Sequence, residues 1–375
     1  MSTTVAAVSS VYEQLGVRPV INARGNNTVL GGSTPSARVR RAMQDAERYY
    51  VDMEQLLERS GQVIADLLGC EAAYVTPGAA AALALGAAAC IAGADPDKIA
   101  RLPDTRGLKD TVLIQTGHHY HYQRAVTVPG AHVVEVEASE LEASLGPNVA
   151  AVLFPAHLDG APGTLSLAKV IELAHARGVP VLVDAAGRVY PLDKFKSYTR
   201  AGADLVAFGA KYIGALNASG ILCGRKDLIS AAVLHGFIGF ETVAWEKSFG
   251  RPLKLDRQSI IAVVAALQEW LETDHDARLA GYERRLQAIA SEIQGAPGVT
   301  PSIVRSDGPS ALVLRLAIDP AQARHDAASI AETLWSGMPA IAVGRAGDAA
   351  ITINPATLRE EDDGVVAARL GNLLL

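Results

Sequence analysis

Short apolar runs and amphipathic stretches alternate through the middle of the chain. "AAYVTP" (72–77) is an apolar run followed by a glycine and an alanine-rich stretch, "AAAALALGAAACIA". "TVLIQT" (111–116), "HVVEVE" (132–137) and "VAAVLFP" (149–155) are β-branched and apolar. "LAKVIELAHARG" (167–178) has the apolar spacing of a helix, closes on a glycine and leads into "VPVLVDAAG", apolar on both faces. "LDKFKSYTRAGA" predicts another helix, "DLVAFGA" another strand and "GILCG" (220–224) a further short one. Continuous apolar strands separated by helices predict a parallel sheet covered on both sides. From about residue 258 nearly 40 residues carry helical periodicity, as one long helix or a bent pair. "SALVLRLAI", a helix near 325–336, "AIAVGR", "AAITIN" and a last helix near 359–374 complete a smaller α/β unit. The pattern divides into an N-terminal segment (1–60), a large domain (61–257) and a long helix with a small C-terminal domain (258–375). The fold class is α/β.

Composition narrows the class. Of the 375 residues, 49% are hydrophobic and 20% charged, which suits a compact protein and is too apolar for disorder. A formal charge of −6 argues against a broad nucleic-acid-binding face. Cys70, Cys90 and Cys223 are far apart in sequence, in apolar surroundings, and form no CxxC pair. They read as reduced core thiols of a cytoplasmic protein. "MSTTVAAVSSVYEQLGV" lacks the basic flank and apolar core of a secretory leader. The alanine-rich run, at about 14 residues, falls short of the roughly 20 that span a bilayer. It is expected to be a buried helix, and no membrane partner is expected.

In open parallel sheets, sites lie beyond the carboxyl ends of the strands. After "AAYVTP" come Gly78, Ala79 and Ala80 at a helix start, where free N–H groups and the helix dipole suit a phosphate. An ordinary tight turn is the competing reading. After "TVLIQTG" come His118, His119, Tyr120, His121 and Tyr122. Three histidines suggest a metal, but no acid or cysteine lies at ligand spacing, so no metal is expected. A planar side chain lying on an aromatic ligand is the sharper alternative. Asp184 ends "VPVLVD" and Lys211 follows "DLVAFGA", 27 residues later with one helix between. That is one strand–helix–strand step, so both side chains should emerge at the same sheet edge. A buried amine, a buried carboxylate, an anion cradle and a flat residue are the set that pyridoxal 5'-phosphate needs. The lysine forms the Schiff base, the aspartate holds a proton on the pyridine nitrogen and the helix start takes the phosphate. A buried ion pair is the competing reading, in which the other pieces have no role. An amino-acid substrate also needs its carboxylate held. Arg24 in "NARG", Arg251 in "FGRPLK" and Arg345 in "AVGR" are candidates, each with a plain salt bridge as its alternative.

"VINARGNNTVLGG", "YVTPGAAAALALGAAACIAG", "IARLPDTRGLKDTVLIQTGHH", "VPVLVDAAG", "FGAKYIGALNASGILCGRKDLI" and "GRPLKLDRQSIIAVVAALQEWL", in that order, resemble the selenocysteine-synthase-like branch of fold-type-I pyridoxal-phosphate enzymes. The resemblance runs from about residue 10 to the C-terminus. It implies an aminotransferase-like large domain with a mostly parallel sheet, a small C-terminal α/β domain, and a homodimer with active sites at the subunit interface. It makes Lys211 the Schiff-base lysine and Asp184 the pyridine partner. It puts Gly78, Ala79 and Ala80 at the phosphate and His118 on the ring, although His118 and His119 are not separable. Three motifs depart from the family. Its "SGGK" reads "FGAK", with Phe208 for serine; its "GGPQSSG" reads "GALNASG", with Asn217 for glutamine and Ser219 kept; its "NASG" reads "NARG", adding Arg24. Selenocysteine synthase also carries an N-terminal tRNA-binding region, whereas this sequence starts almost at the core. The rebuilt rim points to a different small substrate.

Small-molecule members of the branch include ammonia-lyases acting on glucosaminate and its phosphate. The resemblance therefore implies a lyase that takes the α-proton of a small hydroxy amino acid through Lys211 and eliminates the β-substituent, giving a 2-oxo acid and ammonia. A racemase, aldolase or aminotransferase would share the first steps. In this fold a small-domain arginine commonly takes the α-carboxylate, which favours Arg345 and leaves Arg24 for a distal group. The acidic balance disfavours a tRNA-dependent selenium transferase, and the intact Lys211–Asp184 pair disfavours a non-catalytic binding protein.

Overall fold

A computed structural model describes residues 11–243, 248–306 and 308–375. Its strands are β1 (Val20–Ala23), β2 (Ala72–Thr76), β3 (Thr111–Gln115), β4 (His132–Val136), β5 (Val149–Pro155), β6 (Val181–Asp184), β7 (Leu205–Gly209), β8 (Gly220–Gly224), β9 (Val299–Arg305), β10 (Leu312–Ile318), β11 (Ala340–Arg345) and β12 (Ala350–Ile353). The chain divides into two compact units. One holds 33–273 with 307–309; the other holds residues up to 32, 274–306 and 310–375.

The larger unit is built on a seven-stranded sheet in the order β2-β8-β7-β6-β5-β3-β4. Neighbours from β4 to β7 run parallel, while β8 is antiparallel to both β7 and β2. β5, β6, β7 and β8 are buried at every position, as their unbroken apolar sequences require. The alanine-rich stretch is the helix Ala79–Ala92, buried continuously from Ala81 to Ala92. Its small side chains let it lie close to the sheet. A β-carbon on Gly86 would stand 3.1 Å from a Leu182 methyl and 3.3 Å from one of Leu205. Among the described residues, no helix is long and apolar enough to cross a membrane.

The smaller unit has a five-stranded sheet, β1-β11-β12-β10-β9, with its own apolar core of Leu314, Leu316, Ile330, Ile341, Ile351 and their neighbours. β1 pairs parallel with β11. Neither β1 nor β9 stands out in the sequence. β1 is four residues long, and β9 is an edge strand containing Pro301 with no fully buried position.

The helical stretch after 256 is a bent pair, Arg257–Glu272 and His275–Ser291, with Asp256 and Asp274 accepting from the first-turn N–H groups of each. The division between units falls at 273/274 rather than 257/258. The first helix packs on Ala37–Glu47 and Met53–Leu68, and Trp270 donates its indole N–H to the Val189 carbonyl at 2.9 Å. The N-terminal segment is likewise not one body. Residues 11–32 belong with the C-terminal unit, and the two helices after them with the larger one. Residues 1–10 lie outside the described residues. Cys70 and Cys223, distant in sequence, are brought near each other, because Cys70 lies just before β2 and Cys223 sits opposite Ala73 on β8, while the Cys70 thiol donates to the Ala65 and Ala72 carbonyls. Both are free thiols.

Candidate active site

β6 and β7 lie side by side, with Asp184 opposite Ala207. The segments leaving them stay laced together. The Ala185 N–H donates to the Ala207 carbonyl at 3.0 Å, and the Gly209 N–H to the Ala186 carbonyl at 2.9 Å. Asp184 is 6% exposed. Its Oδ1 accepts from the Ala186 N–H at 3.0 Å and its Oδ2 from the Tyr120 hydroxyl at 2.7 Å. Burial raises the Asp184 pKa, while the Tyr120 and Ala186 donors and the nearby His157 act to lower it. Burial, the Asp184 charge and their hydrogen bond all hold the Tyr120 phenol protonated. Lys211 lies in a single 3-10 turn, Ala210–Ile213, immediately after β7, and Gly214 closes that turn at φ 92°. The lysine is half-buried, its Nζ stands 5.2 Å from the Tyr212 ring centroid, and burial lowers its pKa. Two of the residues picked out in the sequence thus emerge at one sheet edge.

The third part is the turn after β2. Gly78 has φ 100°, and no side chain caps the helix that follows it. The Thr76 hydroxyl donates to the Gly78 carbonyl at 3.0 Å. Gly220, which opens β8, lies directly against this turn. A β-carbon there would be 2.5 Å from the Gly78 carbonyl carbon and 2.8 Å from the Ala79 nitrogen. The Ala210 N–H donates to the Ser219 carbonyl at 2.9 Å, and the Ser219 hydroxyl to the Leu216 carbonyl at 2.7 Å. Asn217 is half-buried in the same loop. Phe208 turns away into the core, edge-on to Phe195 at 4.7 Å. An uncapped helix start pressed against a glycine-only contact is a cradle for an anion. With a buried carboxylate at the neighbouring strand ends, these residues fit both ends of pyridoxal phosphate.

Beside Asp184 a cavity of about 260 Å³ is lined by Tyr120, Tyr122, His157, Arg188 and Tyr212, among others. Tyr120 and His157 meet edge to face at 5.2 Å. Burial lowers the His157 pKa, with Asp184 opposing and Arg188 reinforcing the shift. His118 does not line this cavity. It is fully buried, edge-on to Phe154 at 4.8 Å, with Nδ1 3.3 Å from the Gln115 amide nitrogen. His119 is exposed and pairs with Glu135 at 2.6 Å. Tyr120, His157 and Arg188 went unassigned in the sequence, though each follows a strand end, of β3, β5 and β6. The rule that picked out Asp184 and Lys211 finds them when extended to every strand.

None of the three arginine candidates lines this cavity. Arg251 pairs with Glu241 at 2.6 Å. Arg24 and Arg345 belong to the smaller unit, where Arg24 is exposed and Arg345 pairs with Asp348 at 2.6 Å. A larger cleft of about 470 Å³, between the helices Met53–Leu68 and Lys226–His235, contains none of the strand-end residues above.

No protein-family model matches the chain. The 5'-C-glycyluridine monooxygenase-decarboxylase of a Streptomyces species is 32% identical, over 97% of this chain and 92% of that protein. The D-glucosaminate-6-phosphate ammonia lyase of Salmonella typhimurium is 27% identical, over 96% of this chain and 97% of its own length. A solved structure of D-glucosaminate-6-phosphate ammonia-lyase superposes with a TM-score of 0.84 at 26% identity, over 98% and 99% of the two chains. The L-seryl-tRNA(Sec) selenium transferase of Geobacter metallireducens is 27% identical, over 74% of this chain and 62% of that protein. The chain belongs to the selenocysteine-synthase-like family of fold-type-I enzymes. Like other members of that family, it uses pyridoxal phosphate as cofactor. The fold itself reaches further. Aspartate aminotransferase of Thermus thermophilus superposes at a TM-score of 0.56 with 18% identity.

Proposed function

We propose that the protein is a lyase acting on a small hydroxy amino acid, removing the α-proton and expelling the β-substituent to yield a 2-oxo acid and ammonia. The observation that carries this reading is the pairing of a buried, doubly hydrogen-bonded Asp184 with a half-buried Lys211 at adjacent strand ends. Pyridoxal phosphate, when bound, supplies the electron sink that stabilises charge at the α-carbon. The chain's own residues do the rest. Asp184 holds a proton at the pyridine nitrogen, with its two oxygens oriented by Tyr120 and Ala186. Lys211, whose ammonium is disfavoured by burial, is the base that takes the α-proton. The N–H groups opening the helix at Ala79 and Ala80, with Asn217 and Ser219 from the facing loop, receive the phosphate. Tyr120 lines the cavity at the ring, and His118, packed on Phe154, anchors the segment that presents it.

A second reading has a specific observation behind it: the relative with 32% identity is named a monooxygenase-decarboxylase. Both chemistries act at the α-carbon, and oxygen separates them. A panel of L- and D-hydroxy amino acids, glucosaminate included, is incubated with the holoenzyme with and without oxygen. Equal release of ammonia and 2-oxo acid in both arms is the expected result. Carbon dioxide release that stops without oxygen establishes the second reading instead.

The reading includes a cytoplasmic homodimer. Tyr49, Tyr50 and Val51 are 57%, 96% and 48% exposed, an apolar surface suited to a second copy. A monomer mass in light scattering removes the dimer.

A further inference from the structure

The cleft of about 470 Å³ between the helices Met53–Leu68 and Lys226–His235 takes no part in the proposed reaction. Its floor is the start of β2, and Leu57, Ile229, Val233 and Ile238 are apolar walls. Gly61 lets the first helix press on that strand, since a β-carbon there would stand 2.2 Å from the Ala73 carbonyl oxygen. Four carboxylates, of Glu54, Glu58, Asp66 and Glu71, line the cleft against one lysine, Lys226. None of the four is ion-paired among the described residues. Nor do they converge on one point, for among the described residues no group of three or more His, Cys, Asp or Glu could hold a metal ion. Along the helix, Glu58 follows Glu54 by roughly 6 Å and Asp66 follows Glu58 by roughly 12 Å. A cation that meets them must carry its charge spread along a chain. Tyr74, at the floor, is 2% exposed, and its hydroxyl has no hydrogen-bond partner among the described residues. The hydroxyl stands beside Gly236, where an added β-carbon would lie 2.7 Å from it, between the wall residues Val233 and Ile238. Burial keeps this phenol protonated. A buried hydroxyl left unpaired is costly, and a polar ligand in the cleft would satisfy it.

We propose that this cleft binds an aliphatic polyamine, with its methylene chain on the apolar walls, its ammonium groups on Glu54, Glu58 and Asp66, and one N–H donated to the Tyr74 hydroxyl. The carboxylates set the sign of the ligand's charge, their spacing sets its length, and the apolar walls suit an unbranched hydrocarbon body. The volume falls within the range of small-molecule sites, about 300–1,000 Å³. The site is separate from the ends of β6 and β7 and does not depend on the chemistry assigned there.

The test titrates spermidine calorimetrically into the holoenzyme, with the cofactor's absorption spectrum recorded on matched samples. Octane-1,8-diol, a chain of similar length without charge, is the comparison. Spermidine should bind saturably with the spectrum unchanged, and the diol should not bind. The triple variant Glu54→Gln, Glu58→Gln, Asp66→Asn should weaken spermidine by roughly 3- to 100-fold, the effect of three exposed ion pairs. All three positions are exposed, and retained cofactor binding shows that the variant is folded. Tyr74→Phe should weaken spermidine by roughly 2- to 10-fold, the effect of one hydrogen bond, with Tm held or raised because the hydroxyl has no protein partner to lose. Affinity unchanged in either variant overturns the site. Equal binding of the diol overturns the cation, and binding that alters the cofactor spectrum and survives the triple variant places the amine at the cofactor instead. A wild type that does not bind spermidine at millimolar concentration overturns the proposal outright.

Discussion

Gly220→Ala tests whether the turn after β2 is the phosphate cradle. The added methyl carbon would stand 2.5 Å from the Gly78 carbonyl carbon, 2.7 Å from the Phe208 oxygen and 2.8 Å from the Ala79 nitrogen. Ordinary contact begins at 3.4 Å, so the closest pair must separate by 0.9 Å. All three atoms are backbone, and no rotamer change relieves them. Gly220 pairs with Gly209 on one side and Thr76 on the other, which pins the strand. The displacement therefore falls on the turn, carrying the Ala79 N–H away from its position. Overpacking of this kind costs about 1–3 kcal/mol, a fall in Tm of roughly 2–10 °C for a unit of this size. Cofactor affinity should fall further. Losing one charge-assisted hydrogen bond to the phosphate costs about 1.5–3 kcal/mol, raising Kd by at least roughly 10-fold. Thermal denaturation with and without cofactor, and equilibrium titration of the cofactor, separate the two effects. Gly364→Ala, where a β-carbon meets nothing within 4 Å, is the control and should leave cofactor affinity unchanged, with a Tm held or slightly raised because it lies in a helix. Wild-type cofactor affinity in Gly220→Ala would refute the cradle.

Lys211→Ala should remove both turnover and the cofactor's visible absorption band, and borohydride labelling of another lysine would overturn its role. Asp184→Asn should keep the cofactor and slow turnover by about 10²-fold or more, the cost of a key electrostatic partner; near-normal turnover would sink the pyridine assignment. Tyr120→Phe removes the donor to Asp184 Oδ2, so the pH titration of the bound cofactor's spectrum should shift while folding is kept; an unmoved titration would show that Tyr120 does not act through Asp184. His235 is fully buried, donates from Nε2 to the Gly93 carbonyl at 3.1 Å, and burial pushes its pKa down to about 4 from the ordinary 6.5. Because its folded pKa is depressed, the unfolded chain takes up the proton first, so stability is lost as pH falls from 6.5 toward 4. The loss from this residue between pH 7 and pH 5 is about 2 kcal/mol, and denaturant melts of His235→Leu should show a correspondingly flatter slope; an identical slope would refute it.

The parts of the fold that read directly from the sequence are those buried on both faces. β5 to β8 have unbroken apolar runs because helices cover both sides of the sheet, and the glycines and prolines between them mark the turns. β1 and β9 fail that criterion for a physical reason. β1 gains its place by pairing with β11, some 320 residues later, a contact with no local signature. β9 alternates half-buried and exposed positions at a sheet edge, so its sequence looks like a loop. The same holds for Cys70 and Cys223, whose proximity is a consequence of the β2–β8 register.

Burial alone does not mark a site, and Asp204 shows why. Asp204 is 2% exposed, more buried than Asp184, and it too adjoins a doubly buried strand. It stands at the start of β7, however, not at a carboxyl end. Its oxygens are taken by His175 at 2.8 Å, by Arg225 at 2.8 Å and by the Val181 N–H at 2.7 Å. Such a carboxylate is a satisfied structural anchor. Asp184 differs in strand polarity, which the sequence reveals, and in bordering a cavity, which it does not. The segment after β3 shows the same limit at finer scale. Five consecutive residues there could each face a cofactor, and no periodicity ranks them. The 3-10 turn Thr116–His118 decides. It ends with His118 packed on Phe154 and brings Tyr120 to Asp184. Strand polarity therefore picks out the sheet edge at which Asp184 and Lys211 emerge, while which of several adjacent residues reaches Asp184 depends on one turn of backbone.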